Sequence, residues 1–222
     1  MQDSKDQGQE EKAVRGLPRL GESAPEFEAE TTHGTLRLSD FKGSWLVLFS
    51  HPADFTPVCT TEFMAFAEIA PELKERGVEL MGLSIDSTYS HIAWVRNIEA
   101  NFGVKIPFPI IADLNKEVAG LYGMIMPGES KTETSRAVFV IDDKGILRAM
   151  IYYPLTTGRN MKEILRLVDG LQTTDKHGVA TPANWQPGDK VIVPPPKTAD
   201  EARERMEQGY ECTDWYFCKK EL

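Results

Sequence analysis

The sequence predicts an α/β protein in which a central mixed sheet is covered by helices and followed by an extended C-terminal arm. Three observations predict it. Short apolar blocks alternate with amphipathic runs over the first two thirds of the chain, two later strands flank a tight turn, and composition shifts to proline-rich at about Thr173. The expected organisation is a tail over residues 1–16, a main domain over 17–172 and an arm over 173–222.

Residues 1–16 (MQDSKDQGQEEKAVRG) carry hardly an apolar side chain and are expected to be disordered, because they cannot bury enough surface to offset the entropy of ordering. From Leu20, short alternating segments around His33-Gly34 predict a β-hairpin at the domain edge. Gly43 precedes the first core strand, Trp45 to Phe49 (WLVLF). Phe63, Phe66, Ala67 and Ala70 then recur at helical spacing, with Pro71 expected to kink the helix near Ala70 and Gly77 to end it. Val78 to Ile85 (VELMGLSI) reads as the next strand, and Thr88 to Asn101 as a helix with Ile92, Val95 and Ile98 on its buried face. Phe108 to Ala112 reads as a short strand made edge-like by Pro109, and Lys116 to Tyr122 as a short helix. Arg136–Ile141 and Ile146–Tyr153 flank Asp142-Asp143-Lys144-Gly145, a hairpin signal, and Asn160 to Gln172 presents Met161, Ile164, Leu165 and Val168 on one helical face. In the arm, Pro194-Pro195-Pro196 predicts a stiff extended stretch. Thr198 with Glu201 three residues on predicts a capped helix to about Gln208, and aromatic residues crowd between Cys212 and Cys218.

The chain has 222 residues, room for one well-packed domain plus an appendage, and a formal charge of minus nine without a block of lysine or arginine. That charge repels polyanions, so neither nucleic acid nor an anionic membrane surface is an expected partner. No apolar run reaches the roughly 18 residues of a membrane span, and the N-terminus has no signal-peptide core, so a cytoplasmic protein is expected. Three widely separated cysteines do not make a disulfide scaffold and point instead to catalytic use.

The candidate site is residues 51 to 63, HPADFTPVCTTEF, at the junction of the first core strand and the helix after it. Thr56 followed by Pro57 is a helix-start signal, with threonine expected to cap, which makes Cys59 the third residue of the first turn. Unpaired N–H groups and the positive end of the helix dipole favour an anion there, so the thiolate of Cys59 is expected to be stabilised. Pro52, Thr56 and Cys59 spell Pro-x-x-x-Thr-x-x-Cys, and in this motif the chain resembles the peroxiredoxins. The longer string looks like the one-Cys subfamily, and similarity continues through SRAVFVID, TTGRN and the tail, covering the chain from about Pro18 to its end.

The resemblance implies a thioredoxin-like fold and a peroxidase that reduces hydrogen peroxide and small organic hydroperoxides without a cofactor or metal. It implies that Thr56 holds the peroxide, that Arg136 pairs with the thiolate, and that Glu62 and Arg159 lie by the same pocket, with Pro52, Val58 and His51 lining it. His33, His91 and His177 read as structural or exposed. The sulfenic acid formed on Cys59 needs a resolving thiol. Cys212 and Cys218 resemble the tail cysteines of archaeal-type members; Lys219 and Lys220 favour Cys218, while Glu211 and Asp214 disfavour Cys212. Metal ligation by Cys212, Cys218 and His177 does not match a zinc spacing. The implied partners are a thioredoxin-like or other dithiol reductant and further copies of the chain, as dimers assembled into a decamer. Two other readings are a general disulfide oxidoreductase, weakened because Cys59 has no Cys-x-x-Cys partner, and an oligomeric holdase chaperone, suggested by the aromatic tail. A phospholipase would need a Gly-x-Ser-x-Gly-like nucleophile, which the sequence lacks.

Overall fold

Leu46, Val47, Leu48 and Phe49 are all buried, and the strand they form, β3 (Trp45–Ser50), lies inside the seven-stranded sheet of the computed structural model, which describes residues 17–222. A strand covered on both faces needs a continuous apolar run, which WLVLF supplies. The strand order is β2-β1-β5-β4-β3-β6-β7, built from β1 (Glu28–Thr31), β2 (Gly34–Arg37), β4 (Val78–Ser84), β5 (Ile110–Ala112), β6 (Arg136–Ile141) and β7 (Leu147–Tyr153). β3, β4 and β5 run parallel, while β6 pairs antiparallel with β3 and β7 with β6. This is the thioredoxin-like mixed sheet that the pattern predicts.

One face of the sheet packs Phe49 against Phe63 and Phe66 of α1 (Pro57–Glu75), with Phe108, Trp94 of α2 (Thr88–Phe102) and Ile164 and Val168 of α4 (Met161–His177). The Phe49 and Phe66 rings stack at 3.9 Å between centroids, and each such fully buried ring contributes roughly 2–3 kcal/mol. The other face buries Leu46, Leu48, Met81, Tyr122, Phe139 and Leu147, with α3 (Glu117–Leu121) across it.

Four expectations change on this face-by-face view. β5 is not an edge: it sits between β4 and β1, and Pro109 lies just before it, where its carbonyl still accepts from Gly82 N–H. The hairpin β1–β2 takes the edge. The buried face of α2 is His91, Trp94 and Ile98; of the expected aliphatic positions Ile98 is buried, Val95 half-buried and Ile92 40% exposed, because the helix turns His91 and Trp94 inward. On α1 the buried stripe is Cys59, Glu62, Phe63, Phe66, Ile69 and Leu73; Pro71 lies within the helix, and Ala67 and Ala70 are only half-buried. α4 runs on to His177, where Gly178 in the left-handed region (φ 61°) ends it.

The arm folds on itself. β8 (Val191–Val193), β9 (Glu211–Asp214) and β10 (Phe217–Lys220) form a second sheet in the order β8-β10-β9, and Val179, Trp185 and Val191 make a small core of their own, so the arm holds more structure than an extended proline run. α5 (Ala199–Arg205) opens on Thr198 and Glu201 in the expected capping box and stops short of Gln208. The tail expected over residues 1–16 lies outside the described residues. No helix among the described residues is long and apolar enough to cross a membrane.

Candidate active site

Between the end of β3 and the start of α1 the chain turns through His51–Thr56, and Phe55 makes the turn with φ 55°, a left-handed conformation costing a bulky side chain roughly 1–2 kcal/mol. Thr56 holds the N-cap position and Pro57 follows it, as the sequence predicts, but the Thr56 hydroxyl does not cap. It donates instead to the Ala53 carbonyl at 2.9 Å, bracing the loop. Thr60 N–H makes the first bond back to the Thr56 carbonyl (3.0 Å), so the N–H groups of Val58 and Cys59 precede the intrahelical ladder. Cys59 is a free thiol with 0% exposure. Pro52 is buried in the loop, and Val58 is half-buried facing the loop at Gly158.

Arg136, the first residue of β6, reaches this helix start. Its Nη1 lies 3.4 Å from Cys59 Sγ and 2.7 Å from Glu62 Oε2, while Nε and Nη2 both donate to the Leu155 carbonyl at 2.9 and 2.8 Å. Glu62, one turn after Cys59, also accepts from Arg159: the backbone N and Nε on Oε1 at 2.9 Å each, and Nη2 on Oε2 at 2.7 Å. Arg159 Nη1 completes its set on the Ser50 and Ala137 carbonyls, both at 2.9 Å, and its guanidinium lies 5.2 Å from the Phe49 and Phe66 ring centres. Glu62 and Arg159 are thus buried in one network rather than surface partners. Burial works to raise the Glu62 carboxyl, but Arg159 and Arg136 outweigh it and hold it below its ordinary range. Two guanidiniums share one carboxylate, which leaves one positive charge uncompensated beside Cys59 Sγ. That geometry suits an anionic sulfur.

On the far side of the loop lies a cluster that residue spacing did not reveal. Asp54 Oδ1 is 2.9 Å from His51 Nε2, and its two oxygens are 3.0 and 2.8 Å from His91 Nδ1, with His91 Nε2 3.1 Å from the Ile111 carbonyl. A carbonyl only accepts, so His91 Nε2 carries a proton. Burial pushes the His51 imidazole below its ordinary range, against the pull of Asp54, so it is neutral at neutral pH. Burial also works to raise the Asp54 carboxyl, yet the bonds from His51 and His91 outweigh it and the net direction is down. The three side chains bring potential ligand atoms within 4.8 Å of one another, but both imidazoles are already bonded to the Asp54 carboxylate. His33 and His177 are exposed and stand apart.

The tail cysteines are not separate thiols. Antiparallel pairing of β9 and β10 sets Cys212 opposite Cys218 with Cα atoms 4.0 Å apart, and the two form a disulfide. The sequence names both as candidate resolving thiols; the two-residue turn at Trp215-Tyr216 brings these residues, six apart, together as a pair. It also removes both sulfurs from the candidate metal ligands. Cys218 is buried, while Trp215, Tyr216 and Phe217 remain exposed around it.

A buried thiol at a helix start, beside a surplus guanidinium on a thioredoxin-like sheet, defines a thiol-based oxidoreductase. Residues 20–150 match the model of the AhpC/TSA family, and residues 170–209 match the C-terminal domain of 1-Cys peroxiredoxin. The chain is 64% identical over 220 residues to a peroxiredoxin of Aquifex aeolicus, covering 94% of this chain and 99% of that one. It is 55% identical over 206 residues to a peroxiredoxin of Hyperthermus butylicus, covering 90% and 88%. Among solved structures it is similar to the yeast mitochondrial 1-Cys peroxiredoxin (TM-score 0.83, 44% identity, 93% and 100% covered) and to Peroxiredoxin 6 of Arenicola marina (TM-score 0.82, 42% identity, 92% and 98% covered). The chain belongs to the peroxiredoxin family and is a thiol-dependent peroxidase, with a peroxide as substrate and a thiol as reductant.

Proposed function

We propose that Cys59 is the peroxidatic residue and that it reduces hydrogen peroxide and small organic hydroperoxides. The single observation that carries this is the free, buried Cys59 Sγ held 3.4 Å from Arg136 Nη1, next to a carboxylate already shared between two guanidiniums. The thiolate sulfur attacks the terminal peroxide oxygen, the O–O bond breaks, and the remaining oxygen leaves as hydroxide or alkoxide and takes a proton from water; Cys59 becomes a sulfenic acid. Thr56 and Arg136 are the groups that hold the peroxide and face the charge developing on the leaving oxygen, a role typically worth 10²–10³ in rate for one donor. Glu62 and Arg159 orient Arg136, and Pro52, Val58 and His51 shape the pocket.

Resolution uses the tail. The Cys218 thiolate attacks the sulfenic sulfur, forming a Cys59–Cys218 disulfide and releasing hydroxide. The Cys212 thiolate then attacks Cys218, which frees Cys59 and leaves the Cys212–Cys218 pair for an external dithiol to reduce. That pair together with a free Cys59 is the combination in the structure, which supports this order of exchange. Both Cys59 and Cys218 are buried, so the first exchange requires local opening of the α1 start and of the tail hairpin. The yeast relative is resolved through glutathione and thioredoxin systems; the reductant inferred here is a thioredoxin-like or other dithiol donor. The rest of the reading is a cytoplasmic homo-oligomer of dimers assembled into a decamer, with a main domain to about residue 172 and the arm reaching a neighbouring subunit.

The test is non-reducing gel analysis with peptide mapping after one equivalent of peroxide. A Cys59–Cys218 disulfide accumulating in Cys212→Ser protein, and absent from Cys59→Ser and Cys218→Ser proteins, is the expected result. Cys59 found only as sulfenic or sulfinic acid in the reduced-then-oxidised wild type would refute the tail as resolver.

A further inference from the structure

The β3–β6 ladder runs from Leu46↔Ile141 to Phe49↔Val138 and stops one pair short of Ser50 and Ala137. From that point the strands fork, and the fork opens where Arg136 leaves β6 for the Cys59 site. Side chains take the place of the missing rungs. Ser50 Oγ donates to the Ser135 carbonyl at 2.7 Å and accepts from Ala137 N–H at 3.2 Å, so a single hydroxyl bonds the residues on both sides of Arg136. Arg159 Nη1 lies in the same fork, donating to the Ser50 and Ala137 carbonyls. One residue on, the Thr134 hydroxyl donates to the His51 carbonyl at 2.6 Å. Ser50 and Thr134 are fully buried, so no water substitutes freely for these hydroxyls.

From this geometry we propose that Ser50 is a positioning residue for the reaction at Cys59. Its hydroxyl fixes the main chain from which Arg136 projects, and its main-chain carbonyl accepts from Arg159, so both guanidiniums around Glu62 are tied to this one residue. The Arg136 side of the pair depends on a hydroxyl that touches neither the thiol nor the peroxide. The inference rests on the reading of Cys59 and Arg136 above. Without the Oγ, Ala137 N–H and the Ser135 carbonyl lose their buried partner and the start of β6 is free to shift. Arg136 Nη1 would then leave its contact with Sγ, because a hydrogen bond to sulfur at 3.4 Å does not survive a displacement of roughly 1 Å.

Alkylation of reduced protein by iodoacetamide, read at Cys59 by peptide mapping across pH, separates positioning from mere stability. The reagent reports the thiolate and needs no peroxide turnover. In Ser50→Ala the profile should move to higher pH, with the Cys59 rate on its acid limb down about tenfold. Ser50→Thr, which keeps the hydroxyl, should stay within about twofold of wild type, and Ser50→Cys, which keeps the volume with a weaker donor, should fall between and serves if the alanine variant does not fold. Val140→Ala, a cavity variant deeper in β6, should lower the melting temperature while leaving the profile in place. An unmoved profile in Ser50→Ala, or in Ser50→Cys where the alanine variant does not fold, would overturn the proposal, as would an equal shift in Val140→Ala. Failure of wild-type Cys59 to consume peroxide would overturn the reaction reading instead, and is scored in a separate assay.

Discussion

Replacing Glu62 by glutamine removes one negative charge and almost no volume, at a carboxylate 2% exposed that accepts from Arg136 and from three N–H groups of Arg159. The amide keeps a single acceptor oxygen and turns an N–H₂ group toward a guanidinium, so two buried cations lose the carboxylate they share. Breaking a buried pair from one side costs about 3–5 kcal/mol, a large share of the roughly 5–15 kcal/mol that holds a domain folded. The pH dependence has a definite sign. The Glu62 carboxyl is held below its ordinary value of about 4.3 when folded, so its stabilisation is present at neutral pH and lost as pH falls through its depressed folded value. Urea unfolding followed from pH 7 to pH 3 should give a wild-type advantage over Glu62→Gln of about 3–5 kcal/mol at pH 7 that narrows toward pH 3, at unchanged m. An advantage under 1 kcal/mol at pH 7, or one that stays constant down to pH 3, would refute the claim that Glu62 is an ionised centre between the two arginines.

Arg136→Lys loses the fork that serves Cys59, Glu62 and Leu155 at once, since one ammonium cannot span them; peroxide consumption should fall about 100-fold, and a change under threefold would count against it. Thr56→Val removes a hydroxyl bonded only to the Ala53 carbonyl, so stability should drop by about 1 kcal/mol while the peroxidase rate falls about 100-fold; a rate within threefold of wild type would leave Thr56 as a loop brace alone. Asp54→Asn removes the charge and one of the two acceptor oxygens that serve His51 and His91, and turns an N–H₂ group toward an imidazole; it should cost about 3 kcal/mol at pH 7 in the same urea assay, against less than 1 kcal/mol if the cluster is incidental. In the wild type, the buried neutral His51 contributes stability that is present above its unfolded value of about 6.5 and lost as pH falls below it, a loss Asp54→Asn should alter and a surface variant should not.

The strands and helices were legible where periodicity or a local signal dictates them: WLVLF for the buried strand, Thr56-Pro57 for the helix start, Thr198 and Glu201 for the capping box. What failed to show was set by distant partners. Pro109 marks β5 as an edge only while the hairpin that pairs beyond it is unknown. Ile92 reads as core until His91 is seen to bond Asp54 and Ile111, contacts 37 and 20 residues away in sequence. Cys59 was singled out from its own neighbours, and Arg136, Glu62 and Arg159 were named through resemblance; that all three meet in one buried network follows from strand order, which no local pattern encodes. Ser50 and Thr134 carried no signal at all, because a serine ending a strand looks the same whether it faces solvent or bridges a fork. The tail pair was hidden differently, since two cysteines six apart become partners only once a two-residue turn sets their register.

The most direct measurement of the Cys59 reading is a single-turnover experiment with fully reduced protein and one equivalent of hydrogen peroxide, with peroxide loss followed by stopped flow and the oxidised residue identified by trapping and mass mapping. Wild type should consume one equivalent with oxidation beginning at Cys59, Cys212→Ser/Cys218→Ser protein should do so at the same initial rate and accumulate the Cys59 sulfenic acid, and Cys59→Ser should leave the peroxide intact. Peroxide consumption by Cys59→Ser at the wild-type rate, with oxidation beginning in the tail, would contradict it.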